Sequence, residues 1–158
     1  HYGSVTARLP DAVKAHFKQT LRENAAFGRD LTASAIYDAM VQRTVLYHSM
    51  RQFLGTYDVL AIPVVGIAPG PVEEEYPLVV DGVPTVEYID WLRFSRLATT
   101  TALPALSMPC GFTGDGMPVG VQLVGPPRGE AKLLQVAQEL ERRLDLKTTP
   151  IDPVAHHP

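Results

Sequence analysis

Residues 100–112 read TTALPALSMPCGF, and residues 116–125 read GMPVGVQLVG; these two stretches decide the fold. Both are short apolar runs, and the Asp115-Gly116 pair between them is a typical reversal signal. The pattern predicts two β-strands joined by a turn.

A third apolar run lies upstream, at Tyr57–Val65, and contains β-branched and aliphatic residues without polar alternation. Such a run predicts a strand that is buried on both faces, as in α/β sheets. Because a strand of this kind needs helices above and below it, we expect a mixed α/β layered fold. We also expect the complete sheet to need more strands than this chain encodes.

Four helical segments are predicted around these strands from periodicity and end signals. They are Pro10–Phe27 ended by Gly28, Thr32–Leu54 ended by Gly55, Val86–Leu97 and Gly129–Leu144. The second keeps a helical apolar spacing through Ile36, Ala39, Leu46, Met50 and Phe53, broken at Arg43. The last is predicted to bury Leu133, Leu134, Ala137, Leu140 and Leu144.

The remaining segments are predicted to be irregular. Gly66–Pro84 is rich in proline and glycine and is expected to form a long surface loop with a small excursion at Val79–Val83. Residues 145–158 are expected to form a tail, so that residues 1–158 make a single partial domain.

Composition excludes several classes of function. The 158 residues carry a formal net charge of −3 and no basic cluster, which argues against nucleic-acid and anionic-membrane partners. With Cys110 as the single cysteine, no internal disulfide can form. We see no secretory leader and no apolar run long enough to span a bilayer, so a cytoplasmic location is the default expectation.

Several segments, in the same order, resemble the amidase signature family. The two strands of residues 100–125 resemble the family block "GxPAxSxPxG…LPxGxQxxG", and Tyr57–Pro63 resembles its "FDVLLTPT" strand. Asp90–Phe94 stands where many members have a "W-x-x-F" approach to the "NxxGxPA" turn. Glu130, Leu133, Leu134 and Ala137 match the closing helix, so the resemblance covers roughly residues 32–144.

Three positions depart from the family pattern. Thr99 replaces the usual asparagine, Ala102 the usual glycine and Val64 the usual threonine. The loss of a glycine removes backbone freedom at that turn. These changes leave the detailed substrate pocket open but fit divergence within the family.

The resemblance implies an α/β/α sandwich on a large mixed sheet and hydrolysis of amide C–N bonds through a Ser–Ser–Lys triad. The family's "GGSSGGS" segment and its preceding lysine are absent from these residues. The serines are isolated, and none sits in a glycine elbow. The chain is therefore expected to be the C-terminal portion of an amidase, with no catalytic residue, no cofactor and no metal site of its own.

The resemblance favours Trp91 and Phe94 as aromatic walls of the substrate pocket, with Asp90 meeting a polar substrate group. Core packing of a short helix is the alternative for the two aromatic residues, and solvation of a helix N-terminus is the alternative for Asp90.

Other reactive side chains have ordinary explanations. Cys110 is expected to be a small buried residue at a strand end rather than a nucleophile. Ser107 is expected to bond to the backbone, and Glu73–Glu75 to form an exposed charged loop. The histidines His1, His16, His48, His156 and His157 lack metal-ligand spacing.

The sequence thus predicts a part that completes the sheet and the acyl-side pocket of an amidase. Its partners would be a small-molecule amide and an N-terminal catalytic portion, on the same protein or on another chain, and a homo-oligomer is left open. The alternatives are a non-catalytic binding or assembly module and one subunit of a split amidase.

Overall fold

Strand β5 (Pro118–Val124) is the centre of a three-stranded antiparallel sheet, with β1 (Leu60–Pro63) on one side and β4 (Ala105–Phe112) on the other. The computed structural model describes residues 6–146. As predicted, β4 and β5 form a hairpin, and their connection contains Gly116 with a φ of 86°. Leu123 of β5 lies opposite Leu106 of β4.

The described part of the chain contains five α-helices. They are α1 (Asp11–Lys14), α2 (Gln19–Asp30), α3 (Ala33–Phe53), α4 (Arg96–Thr101) and α5 (Glu130–Leu144). A short 3₁₀ helix covers Asp90–Leu92, and a small hairpin of β2 (Val79–Val80) and β3 (Val83–Pro84) confirms the predicted excursion in the loop.

The sheet is covered by helices on both faces. Leu123 and Val124 are neighbours in β5, so their side chains point to opposite faces, and both are completely buried. Val124 packs with Met50 and Leu54 at the end of α3, and with residues of and beside α4. Leu123 packs on the other face against Leu133 and Ala137 of α5. The chain therefore has the predicted α/β/α layering.

The predicted strand at residues 57–65 is shorter and less buried than expected. Only Leu60–Pro63 form β1, where Leu60 and Ile62 are half-buried and Ala61 and Pro63 are exposed. Burial on both faces is wrong here because, among the described residues, β1 pairs with β5 alone and helices cover mainly the other two strands.

Two helix predictions have the wrong bounds. The predicted helix at residues 10–27 is two helices, because Lys18 adopts an extended ψ of 149° and the Arg22 guanidinium donates to the Phe17 carbonyl at 2.8 and 3.0 Å. Gly28 lies inside α2 instead of ending it. The predicted helix at residues 86–97 is the 3₁₀ turn followed by the start of α4.

The long helix and the last helix are confirmed. Thr32 caps α3, its side-chain oxygen accepting from the backbone N–H of Ala35 at 3.1 Å. In α5 the predicted core residues Leu133 and Ala137 are buried, whereas Leu134 and Leu144 remain exposed.

Arg43 explains the break in the apolar spacing of α3. Its Nε donates to the carbonyl oxygen of Thr100 at 2.6 Å. A cation at this position stabilises the C-terminal end of α4, whose last carbonyls lack partners within the helix. Arg43 therefore links α3 to the end of α4.

Most of α3 lies outside the core. Met50 is its only buried residue. Tyr37, Met40 and Val45 are each more than half exposed. Four of the apolar positions that gave the helical spacing are exposed as well, namely Ile36, Ala39, Leu46 and Phe53. Exposed apolar surface of this extent is typical of a helix face that another domain or another protein chain covers.

Ala102 ends α4 with φ 52° and ψ 38°, the left-handed conformation. A non-glycine residue there is strained by about 1–2 kcal/mol. We predict that Ala102→Gly raises the free energy of unfolding by up to about 1 kcal/mol, because the strain removed exceeds the added freedom of the unfolded chain. Urea unfolding measures the change.

The control is Ala39→Gly, the same chemical change at an exposed site inside α3. It should lower the free energy of unfolding by about 1 kcal/mol. Destabilisation by both substitutions would contradict the account of strain at Ala102.

Candidate functional site

A cavity of about 490 Å³ opens where β1 ends and β5 begins. Pro63 and Val64 line it from the end of β1, Pro118 and Gly120 from the start of β5, and Trp91 from the 3₁₀ turn. The irregular segment 65–71 and residues 74–77 complete its wall. Its size fits a small molecule, and its lining is mostly apolar.

Gly120 keeps the floor of this cavity open. A Cβ atom at this position would lie 3.3 Å from the carbonyl oxygen of Met108 and 3.4 Å from Cγ2 of Val64. Since the nearer contact is with backbone, a side chain here would push the strand or fill the cavity. These close contacts explain why residue 120, in the P-V-G-V-Q segment, is a glycine.

Gln122, two residues further on the same face of β5, ties the sheet to the segment that carries Trp91. Its side chain is 7% exposed, and its Nε2 donates to the carbonyl oxygen of Phe94 at 3.3 Å. A buried amide must find partners in the protein, so this bond sets the distance between the segment and β5.

Trp91 is the predicted site residue that lines the cavity. Its ring lies edge-on to that of Tyr88, with centroids 6.3 Å apart, and Tyr88 contacts Tyr76 in the same way at 5.5 Å. The indole Nε1 is buried and has no hydrogen-bond partner among residues 6–146. A buried N–H without an acceptor is costly, so this donor is available to an acceptor from outside the described chain.

The other two predicted site residues lie outside the lining of the cavity. Phe94 is 40% exposed, and its ring lies behind Gly66, where a Cβ atom would come within 3.1 Å of Cε2. Asp90 is turned towards its own backbone: Oδ2 accepts from the N–H groups of Val86 at 2.9 Å and Glu87 at 3.0 Å. These bonds, led by that from Glu87, hold the pKa of Asp90 below its usual value, helped by the nearby charges of Arg93 and Arg96.

The sequence pattern missed most of the lining. Val64, Gly66, Tyr76 and Gly120 were not predicted as site residues, although Gly120 lies in the segment that carried the resemblance. The loop at 66–77 was assigned to the surface on composition, and its contact with the cavity follows from tertiary structure alone.

The other reactive side chains form no catalytic group in the described residues. Cys110 is half-buried and is the extra residue of a β-bulge between Pro109 and Gly111. The Ser107 hydroxyl is exposed and bonds to no described residue, so the predicted backbone bond is wrong. Glu75 pairs with Lys18 at 3.2 Å, while Glu73 and Glu74 are exposed as expected.

No group of three or more His, Cys, Asp or Glu side chains could hold a metal ion within residues 6–146. His1, His156 and His157 lie outside this range. In the same range, no helix has both the length and the apolar character needed to cross a membrane.

Fold and cavity together define an α/β protein with a small-molecule cavity at the end of its sheet. The family model described as Amidase matches residues 4–134. The chain belongs to the amidase family, and the resemblance found in the sequence is confirmed.

Individual relatives support this assignment. A fatty acid amide hydrolase from Oryza sativa subsp. indica is 32% identical over 74% of this chain and 19% of its own length. A putative amidase, AmiC, from Mycobacterium bovis is 36% identical over 65% of this chain and 22% of its own length. A crystal structure of an amidase superposes with a TM-score of 0.72 at 26% identity, over 84% of this chain and 31% of that one. The chain spans a third or less of the length of these proteins.

The lowered pKa of Asp90 can be tested through the pH dependence of protein stability. A carboxyl group with a lowered folded-state pKa stabilises the fold above its unfolded-state pKa of about 3.9, and this stability is lost as the pH falls through the folded-state pKa. We predict that Asp90→Asn lowers the melting temperature at pH 7 and that the difference from wild type shrinks between about pH 5 and pH 2. Thermal unfolding across this range measures it.

Asp38→Asn serves as the control, because Asp38 is exposed on α3 and bonds to no described residue. It should leave the pH profile of the melting temperature unchanged. A difference for Asp90→Asn that stays constant down to pH 2 would show that its carboxylate does not hold the turn.

Proposed function

We propose that this chain is the C-terminal part of an amidase that hydrolyses carboxamide C–N bonds, in the cytoplasm. Its role is to complete the sheet and to provide one wall of the acyl-side substrate pocket. The observation that carries the proposal is the cavity beside Gly120 and Trp91, built by the segments that also carry the family match.

The chemistry of amide hydrolysis supports a divided role. The reaction needs an activated nucleophile, a proton shuttle and oxyanion donors held together. The serines at positions 4, 34, 49, 95 and 107 are isolated in sequence, and no lysine precedes a Ser-Gly segment. The cavity can bind and orient a substrate, whereas bond cleavage requires groups that the chain does not encode.

The exposed surface supports a protein partner. The apolar face of α3 around Met40 and Val45 is open, and β1 has one free edge among the described strands. Both features are expected where a further layer of helices and strands packs. We propose the N-terminal catalytic portion of an amidase as this partner.

The acceptor for Trp91 fits the same arrangement. Trp91 lines the cavity, and its buried Nε1 has no partner in the described chain. A carbonyl oxygen, either from the substrate amide or from the catalytic portion, would satisfy it. Phe94 and Asp90 then support the segment that carries Trp91, and we place them in the site as neighbours of the wall.

The alternatives are a non-catalytic binding or assembly module and one subunit of a split amidase. The coding sequence adjoining this segment separates them. An upstream, in-frame lysine followed by a "GGSSGGS"-type segment supports the amidase. The same segment in a neighbouring gene supports a split enzyme. Its absence from this gene and from its neighbours supports the binding module.

We predict that the purified chain alone hydrolyses no amide. Enzymes that lose their triad keep a residual acceleration of roughly 10³–10⁴ over water from oxyanion donors and binding. The family resemblance assigns the oxyanion donors to the missing catalytic segment as well. Release of ammonia or amine from a panel of aliphatic and aromatic amides measures this.

Cys110→Ala is the control for a thiol mechanism. Turnover that disappears with this substitution would show that Cys110 is a nucleophile. Turnover that persists would show a catalytic group outside every residue considered above, and either result would contradict the proposal.

We predict that Trp91→Ala in the full-length gene product changes substrate preference more than stability. Removing the ring enlarges the cavity, and pocket volume of this kind discriminates substrates by about tenfold or more in relative kcat/KM. The ratio of kcat/KM for an aryl amide to that for a small aliphatic amide measures it.

Tyr57→Ala is the matched aromatic control, since Tyr57 is exposed and outside the cavity. It should leave the ratio unchanged. If Trp91→Ala lowers only the melting temperature and the ratio stays constant, Trp91 is a core residue and the pocket assignment fails.

A further inference from the structure

A second and larger cavity, of about 900 Å³, lies between the start of α2 and two later segments of the chain. His16–Lys18 and residues of α2 from Thr20 to Phe27 form one side, and Glu75-Tyr76 with Val86–Ile89 form the other. Glu75 and Tyr76 also line the first cavity, so these two residues separate the two spaces. Nothing in the proposed amidase function requires this second cavity.

Aromatic rings dominate its apolar surface. Phe17, Phe27, Tyr76 and Tyr88 all line it. Tyr76 and Tyr88 are held edge-to-face, with centroids 5.5 Å apart and an interplanar angle of 79°. Phe27 is 61% exposed, so much of its surface is open to a ligand.

The charged lining is predominantly acidic. Three glutamates line the cavity, namely Glu23, Glu75 and Glu87. Lys18 is the one lysine or arginine among the lining residues. Glu75 accepts from Lys18 at 3.2 Å and from Thr20 at 3.4 Å, in both cases through Oε1. Its Oε2 therefore has no partner among the described residues.

Glu87 is the carboxylate best placed for a ligand. Its side chain is exposed and makes no hydrogen bond or ion pair in the described chain. Its backbone N–H is held by Asp90 at 3.0 Å, so the turn that carries the side chain is fixed. Glu23, by contrast, already accepts from Gln19 at 2.8 Å.

We infer that this cavity binds a primary organic ammonium ion that carries an aryl or alkyl body. Aromatic faces attract cations through their quadrupoles, and the Glu87 carboxylate with the free oxygen of Glu75 supplies the complementary charge. An anionic ligand would meet net repulsion, and a neutral aromatic molecule would gain no attraction from these carboxylates. The occupant of the cavity is therefore set by charge as well as by shape.

The test is a titration of the purified chain with three molecules of similar shape. These are protonated 2-phenylethylamine, neutral 2-phenylethanol and anionic 3-phenylpropionate, followed by NMR chemical shifts at pH 7. We expect saturable binding of the ammonium ion, binding of the alcohol at least about fivefold weaker, and no saturation with the carboxylate.

Two variants assign the binding to this cavity. Glu87→Gln preserves shape, removes the charge and should weaken ammonium binding about fivefold. Phe27→Leu removes an exposed ring and should weaken it by a similar factor. Glu141→Gln and Tyr57→Leu make the corresponding changes at exposed sites outside the cavity and should leave binding unchanged.

The proposal is overturned if no saturation is seen up to about 20 mM ammonium ion, since weaker affinity would carry no recognition. Equal affinity for the alcohol would show an apolar groove instead of an ammonium site. Unchanged binding in both Glu87→Gln and Phe27→Leu would place the ligand elsewhere. Each of these results leaves the amidase proposal standing, because that rests on the first cavity.

Discussion

The structure depends on one strand that must be covered on both faces. Leu123 and Val124 are adjacent in β5, point in opposite directions and have no exposed surface. Removing either side chain would open a cavity in its own layer, a change that typically costs about 2–5 kcal/mol for leucine. Helices α5 and α3–α4 are therefore both required, and β1 and β4 are required at the two edges. Layering, strand order and helix placement follow from this pair.

The same strand connects the core to the candidate site. Along the Val124 face of β5, a buried core residue is followed towards the start of the strand by Gln122 and then by Gly120. Gln122 holds the Phe94 carbonyl and with it the segment that carries Trp91, while Gly120 leaves the space that this segment closes. Gln122 and Gly120 thus shape the cavity, and neither adds a polar side chain to its lining.

The exposed face of α3 and the free edge of β1 are consistent with the proposed place of this chain in a larger enzyme. A helix that buries one residue of its 21 gains little from packing within the described chain. Its position rests instead on the end near Met50 and on the bond from Arg43 to Thr100, while the Thr32 cap stabilises its first turn. These anchors fix α3 and leave its apolar face available for the further layer proposed above.

Local pattern was sufficient for the elements whose signals are short-range. The β4–β5 hairpin, the capped helix α3 and the amphipathic helix α5 all follow from turn residues, caps and periodicity, and the family follows from collinear motifs. The interruption at Lys18 and the 3₁₀ turn before α4 were missed, because Arg22 and Asp90 redirect the backbone through side-chain bonds that periodicity does not encode.

The candidate site was the least predictable part. The family resemblance placed Trp91, Phe94 and Asp90 together in the site, yet of these three only Trp91 lines the first cavity. The 66–77 loop, 14 or more residues away from Trp91, supplies much of that wall, and its Tyr76 also contacts Tyr88 in the second cavity. Side-chain identity and period therefore determined the elements and the family. Which faces remained open was decided by packing, because exposure depends on contacts between residues that are distant in the chain.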